Sequence, residues 1–192
     1  MNSDKINFFD AAAEHWNEDI ADIDYSSLKR VIELLNFKEN EVVLDVGCGT
    51  GVLFPYLRNQ KVIGMDFSSN MLAHIPQDLL TDNIRLICAD AHSIPLADNF
   101  VDHVVCFSAF PHFTNAILAV KEMNRVLKGG GTLTIFHLAE PDVINGIHQS
   151  VGGPIANDFL INMPNLKKLL SEYFGIQLCI QNPNLFLIQA MK

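Results

Sequence analysis

Basic residues are what this chain most conspicuously lacks. It has 13 Lys and Arg against 22 Asp and Glu, a formal net charge of -9, so nothing draws it electrostatically to a phosphate backbone or an anionic bilayer. That argues against a nucleic-acid substrate and against a membrane partner. No apolar run approaches the roughly 20 residues of a membrane span. The opening "MNSDKINFFD" has no basic segment leading into an apolar core and small-residue cleavage site, and a cytoplasmic protein is expected. Cysteine is sparse and unpatterned. Cys48, Cys88, Cys106 and Cys179 show no C-x-x-C spacing and read as reduced core residues. Repeats and low-complexity segments are absent.

What is present fits one domain. At 192 residues and 49% hydrophobic, the chain can bury about two thirds of its unfolded surface without staples. "SSLKRVIELLNF" sets Leu28, Val31, Ile32 and Leu35 at helical spacing, with Ser26 as cap. "EVVLDV" is a strand, followed by glycines and a helix expected over 52–59. "KVIGMD" is a second strand, "SSNMLAHI" a Ser-capped helix, "NIRLICAD" a third strand and "VDHVVCFS" a fourth. "FTNAILAVKEMNRVLKGGG" places Phe113, Ile117, Val120 and Leu127 on one helical face and closes on lysine and glycine, before the fifth strand "TLTIFHL". This alternation predicts an α/β domain with a mostly parallel sheet and helices on both faces. At the C-terminal end, "NMPNLKKLLSEYFG" is a helix, and "IQLCIQ" and "LFLIQAM" flank the turn "NPN", so the last two strands are antiparallel.

The stretch "VVLDVGCGTG" carries three glycines in five positions directly after a strand. Glycines there let backbone and ligand approach closely, with a helix N-terminus aimed at the ligand. The dinucleotide fingerprint needs a small residue at position 52, where this chain has Val52. It has instead Asp45 followed by Gly47, Gly49 and Gly51, and Asp66 closing the second strand, where a carboxylate can accept from both hydroxyls of a ribose.

With "VVLDVGCGTG", "VIGMDFSSNML", "CADAHSIPLADNFVDHVVC" and "EMNRVLKGGGTLTI" in that order, the chain resembles the class I S-adenosylmethionine-dependent methyltransferases, nearest to the small-molecule type of ubiquinone and menaquinone biosynthesis. The resemblance runs from about Val42 to Phe136. It implies a Rossmann-like seven-stranded sheet of order 3-2-1-4-5-7-6 with strand 7 antiparallel. It implies S-adenosylmethionine as methyl donor, S-adenosylhomocysteine as product, and in-line displacement onto a small-molecule acceptor. Carried over by residue, Asp45, Gly47, Cys48, Gly49 and Gly51 line the methionine side, and Asp66 binds the ribose. Phe67 and Met71 pack on the adenine, Asp90 and the Ala91 amide read its edge, and Phe107 and Ser108 lie near the methionyl group. The alternative is a non-catalytic S-adenosylmethionine-binding sensor or partner subunit. A nucleic-acid methyltransferase is disfavoured by "SAFPHF" after the fourth strand, and an NAD oxidoreductase by Val52 and the terminal hairpin.

The acceptor side is less determined. His112 and His148 are candidate catalytic residues that align the acceptor, and His137, Ile144, His148, Trp16 and Tyr25 are candidate substrate contacts. No metal site is expected, because two His on different elements lack a third ligand at recognisable spacing, although whether His137 and His148 meet substrate or metal stays open. His15, His74, His92 and His103 read as solvated or turn residues. Residues 138–164 are longer than an ordinary connection and are expected to form a substrate lid, with "PDVINGIHQ" as a helix and Gly152, Gly153 and Pro154 as a turn. Residues 1–25 are expected as an N-terminal flap in which Phe8, Ala12 and Trp16 share a face. The partner is a small-molecule methyl acceptor, with the chain a monomer or homodimer.

Overall fold

The computed structural model describes residues 3–19 and 24–192. The part of the expected flap at 1–2 and 20–23 lies outside the described residues. Seven strands form one sheet: β1 (Val42–Val46), β2 (Lys61–Asp66), β3 (Ile84–Cys88), β4 (Val101–Phe107), β5 (Leu127–His137), β6 (Gly175–Asn182) and β7 (Leu185–Met191). Their order is β3-β2-β1-β4-β5-β7-β6, as the resemblance implied. The first five run parallel, and β7 inserts antiparallel between β5 and β6.

The helices are α1 (Ser3–Ala12), α2 (Trp16–Asp19), α3 (Tyr25–Leu35), α4 (Ser69–Ala73), α5 (Ala116–Val126), α6 (Pro141–Val151) and α7 (Met163–Ser171). Strand alternation assigns the two sheet faces. Leu44 and Val46 of β1, with Val104 and Cys106 of β4, pack toward α5 and α7. Val43 of β1 and Val105 and Phe107 of β4 pack toward the Leu28, Val31, Ile32 and Leu35 stripe of α3. A third, smaller cluster joins Phe9 and Ala13 to Met71 and Ile155 and holds the N-terminal helices over the sheet's rim.

Several local readings are corrected. The cap of α3 is Asp24, whose carboxylate accepts from the Ser26 and Ser27 amides at 3.0 Å; Ser26 already lies inside the helix. A carboxylate at a helix N-terminus also meets the positive end of the helix dipole. The helix expected over 52–59 is a single 3-10 turn, Phe54–Tyr56. The Phe54 ring occupies the space left by Gly64, where a Cβ would come within 2.5 Å of it, and the segment around it is bonded i→i+3. In α5 the buried stripe is Ala119, Val120, Met123 and Val126. Of the face expected from spacing only Val120 belongs to it: Phe113 precedes the Asn115 cap, Ile117 is exposed, and Leu127 begins β5 opposite Val101. The lysine and glycines that were to close this helix are strand. Cys48 and Cys106 are buried, whereas Cys88 and Cys179 are exposed because they alternate outward on the two edge strands. Among the described residues no helix is long and apolar enough to cross a membrane.

Candidate functional site

A cleft opens at the carboxyl ends of β1, β2 and β4, where the chain reverses its progress across the sheet between β1 and β4. Open parallel sheets bind ligands at such switch points. The cleft holds about 790 Å³ of atom-free space, part of it open to solvent. Its floor is Val46 to Thr50 after β1, Met65 to Phe67 after β2, and Phe107 to Ala109 after β4, with Ala89 and Ala91 at one side and His112 and Phe113 at the other. Phe9 and Trp16 roof it.

Four amides of the loop after β1 are already bonded within the protein. Gly47 N and Cys48 N both donate to the Met65 carbonyl, at 2.8 and 3.1 Å, and Gly51 N donates to the Cys48 carbonyl. Gly49 N donates to Asp66 Oδ2 at 2.9 Å. A pyrophosphate cradle is built on a helix N-terminus, and this loop leads only into the 3-10 turn Phe54–Tyr56. The helix N-terminus read from the sequence is therefore withdrawn, and what faces a ligand is carboxylate, carbonyl and apolar surface. Glycine is demanded most strictly at Gly47, whose φ is +75° and where a Cβ would lie 2.4 Å from the Ala109 Cβ; this is the closest approach of the β1 and β4 loops.

Asp66 is buried at the end of β2. Its Oδ1 accepts from Ser68 N and its Oδ2 from Gly49 N, both at 2.9 Å, and each oxygen keeps a second lone pair. Burial raises its pKa, with these amide bonds opposing the shift. Asp45 lies beneath the loop and not on the cleft; its Oδ2 is sealed without a hydrogen-bond partner. Burial, and then the charge of Asp66, push its carboxyl up to about 8.

Of the cofactor residues read from the sequence, Gly47, Cys48, Gly49, Asp66, Phe67, Met71, Ala91, Phe107 and Ser108 line this one cleft. Ser108 does so at φ +52°, a left-handed conformation that a side chain adopts only at a cost. Asp45, Gly51 and Asp90 do not line it. Gly51 covers the Phe54 ring, and Asp90 Oδ1 meets the His92 amide at 3.0 Å and His92 Nδ1 at 2.5 Å.

On the acceptor side only Trp16 and His112 reach the cleft. Tyr25 is exposed in a separate groove beside Pro55 and Tyr56. Ile144 packs against the core cluster under α5 and α7. His148 is buried behind the cleft and donates through Nδ1 to the Asp158 carbonyl at 2.5 Å. His137 is 1% exposed with both ring nitrogens unpartnered, and burial, then His112 and His148, push its pKa down to about 3. His92 and His103, expected to be solvated or turn residues, are both partnered: His92 accepts from Asn115 N, and His103 bridges Thr132 and Glu41. Among the described residues no group of three or more His, Cys, Asp or Glu is placed to hold a metal.

Sequence reading missed Phe9, Thr50, Ala109 and Phe113 on the cleft, and Lys5 and Asp158 behind it. Phe9 was within reach, since "INFFD" is amphipathic, but the face chosen was Phe8, Ala12 and Trp16. The buried positions are Phe9 and Ala13, with those three around them. No local signal marks Lys5 or Asp158.

The sheet has the order that the resemblance to class I methyltransferases implied, with a cleft at its switch point that Asp66 makes acidic. Residues 44–135 match the methyltransferase domain family model. Over 121 residues the chain is 35% identical to the demethylmenaquinone methyltransferase of Staphylococcus carnosus, covering 60% of this chain and 50% of that one. The Staphylococcus aureus enzyme of the same name is 34% identical over 119 residues, covering 59% and 49%. The chain thus spans about half the length of these curated relatives. Among solved structures, a chain of the complex between the Haloferax volcanii Trm112 methyltransferase activator and a methyltransferase superposes with a TM-score of 0.81 at 19% identity, covering 95% of this chain and 96% of that one. A methyltransferase of Aquifex aeolicus gives 0.71 at 22%, covering 100% and 98%. In sequence over the matched residues, and in fold over nearly the whole chain, the protein is similar to S-adenosylmethionine-dependent methyltransferases.

Proposed function

We propose that this chain binds S-adenosylmethionine in the cleft and catalyses transfer of its methyl group to a small-molecule acceptor in the cytoplasm, acting as a monomer or homodimer. The observation that carries the reading is the loop chemistry. The amides of Gly47, Cys48, Gly49 and Gly51 are bonded within the protein, while Asp66 presents a carboxylate, so the cleft suits a ligand that brings hydroxyl donors. Phe67, Met71 and Ala91 form an apolar bed for a purine, and Gly47, Ser108 and Ala109 line the end that takes the methionyl group. Asp45 beneath the loop and Asp90 beside the bed act on the ligand through the loops they shape.

The donor supplies an already activated sulfonium methyl, so the protein's tasks are alignment and exclusion of water, and alignment alone supplies ~7 kcal/mol or more of barrier reduction. Phe9 and Trp16 do the excluding. Their helices are pinned by Ser68 Oγ donating to Asp10 and by Thr50 Oγ1 donating to Asn17. The domain is read as a single unit with an N-terminal flap at 1–25 and a lid at 138–164. His137, Ile144 and His148 serve that lid as supports behind the acceptor, and Tyr25 belongs to the flap, in the groove beside Pro55 and Tyr56. The test is to incubate the protein with methyl-labelled S-adenosylmethionine and a small-molecule extract and identify the labelled product by mass spectrometry. A labelled small molecule supports the reading; label found only in macromolecules overturns the acceptor class.

A further inference from the structure

Behind the transfer end of the cleft, Lys5, His112 and His148 meet around one residue, Asp158. Asp158, 8% exposed, follows the Gly153–Ile155 turn. Its Oδ2 lies 2.8 Å from His112 Nδ1, and its Oδ1 accepts from Lys5 Nζ of α1 at 2.5 Å. Lys5 also donates to the His112 carbonyl at 3.2 Å, and His148 of α6 braces the Asp158 backbone. The His112 and His148 rings lie 4.8 Å apart, and Phe9 packs edge-on against His112 at 5.0 Å.

This arrangement fixes a tautomer. Burial works to raise the Asp158 carboxyl, and the bonds from His112 and Lys5 outweigh it, so it is held below its usual value and is an acceptor only at neutral pH. His112 Nδ1 therefore carries the proton. Nε2 is left with a lone pair, with no protein partner among the described residues, on a residue that lines the cleft. We infer that His112 is the general base of the transfer and Asp158 its positioning residue, so that the acceptor is a proton-bearing heteroatom, a hydroxyl, thiol or N–H group. This rests on the methyltransferase reading above.

The step balances without a further reactant. The acceptor's X–H bond breaks and its proton goes to His112 Nε2; the X lone pair forms the bond to the methyl carbon, and the carbon–sulfur bond breaks with its electrons going to sulfur. One positive charge is lost at sulfur as one is gained at imidazole, so the cleft's net charge is constant through the step. Before transfer, burial keeps His112 neutral against the Asp158 bond, and the neighbouring Lys5 and His148 act in the same direction. His137 of β5 is itself neutral and adds no opposing charge.

The experiment has two readouts on the full chain. Imidazole nitrogen NMR of the protein bound to S-adenosylhomocysteine is expected to show His112 neutral at pH 7 with the proton on Nδ1, and Asp158→Asn to lose that preference. Turnover is then followed from pH 6 to 9 with phenol, which stays mostly protonated over that range, and with 4-nitrophenol and thiophenol, which ionise within it. His112→Gln is expected to lose at least 100-fold on phenol and to recover to within 10-fold on the ionised 4-nitrophenolate and thiolate. Its affinity for S-adenosylhomocysteine by calorimetry should change less than threefold. An Nε2–H tautomer, an equal loss on ionised and protonated probes, or no probe methylated by a protein that binds S-adenosylhomocysteine would each overturn the inference. Failure to bind S-adenosylhomocysteine at all would overturn the reading beneath it.

Discussion

Asp66 Oδ2 accepts from Gly49 N at 2.9 Å, tying the end of β2 to the crest of the loop after β1. The same carboxylate that shapes the loop thus faces the cleft, and ligand binding and loop geometry share one residue. Asp66→Ala is expected to weaken S-adenosylhomocysteine by about 2 kcal/mol, roughly 30-fold, through lost charge-assisted hydrogen bonds. Calorimetry on a variant with native circular dichroism checks it; unchanged affinity would place the ribose elsewhere.

Gly47→Ala tests the contact between the two loops. The added Cβ meets Ala109 at 2.4 Å and sits at φ +75°, so overpacking and left-handed strain combine to about 2 kcal/mol or more of lost stability. Chemical denaturation should report that loss together with weakened cofactor binding. Wild-type values for both would show that the β1 and β4 loops are free to part.

His137→Phe should separate burial from function. The folded His137 titrates at about 3, below an unfolded value of about 6.5, so as pH falls the unfolded chain takes up the proton first. The wild type therefore holds the full stability of a neutral His137 above pH ~6.5 and loses it between there and about 3. Phenylalanine removes two unpartnered nitrogens and does not titrate. The variant is expected within about 1 kcal/mol of wild type at pH 7.5 and to be favoured by about 2 kcal/mol more at pH 5. Thermal melts at both pH values measure this, and an identical pH dependence in the two proteins would mean that His137 is solvated.

Where the sequence was informative, it was through residues whose partners lie nearby in the chain. The strands of the sheet, the Ser68 and Asn162 caps and the terminal hairpin follow from local pattern. The α5 face did not, because a 3.6-residue stripe can be drawn through Phe113 and Ile117 as easily as through Ala119 and Met123, and only docking on the sheet selects one. The cleft floor was legible because its residues follow strand ends in order. The acceptor side was not, because Lys5, His112 and Asp158 meet across 153 positions of chain, and neither Lys5 nor Asp158 stands in a motif. Gly64 illustrates the same limit: its role is to admit Phe54, which nothing in "KVIGMD" announces.

The most direct test of the account is calorimetry of the intact chain against S-adenosylmethionine, S-adenosylhomocysteine and NAD. A cleft in which the Gly47, Cys48, Gly49 and Gly51 amides are already bonded and the carboxylate is Asp66 should bind both sulfur compounds at low micromolar concentration, about −7 to −8 kcal/mol, and give no heat with NAD. Heat with NAD and none with either sulfur compound would contradict it.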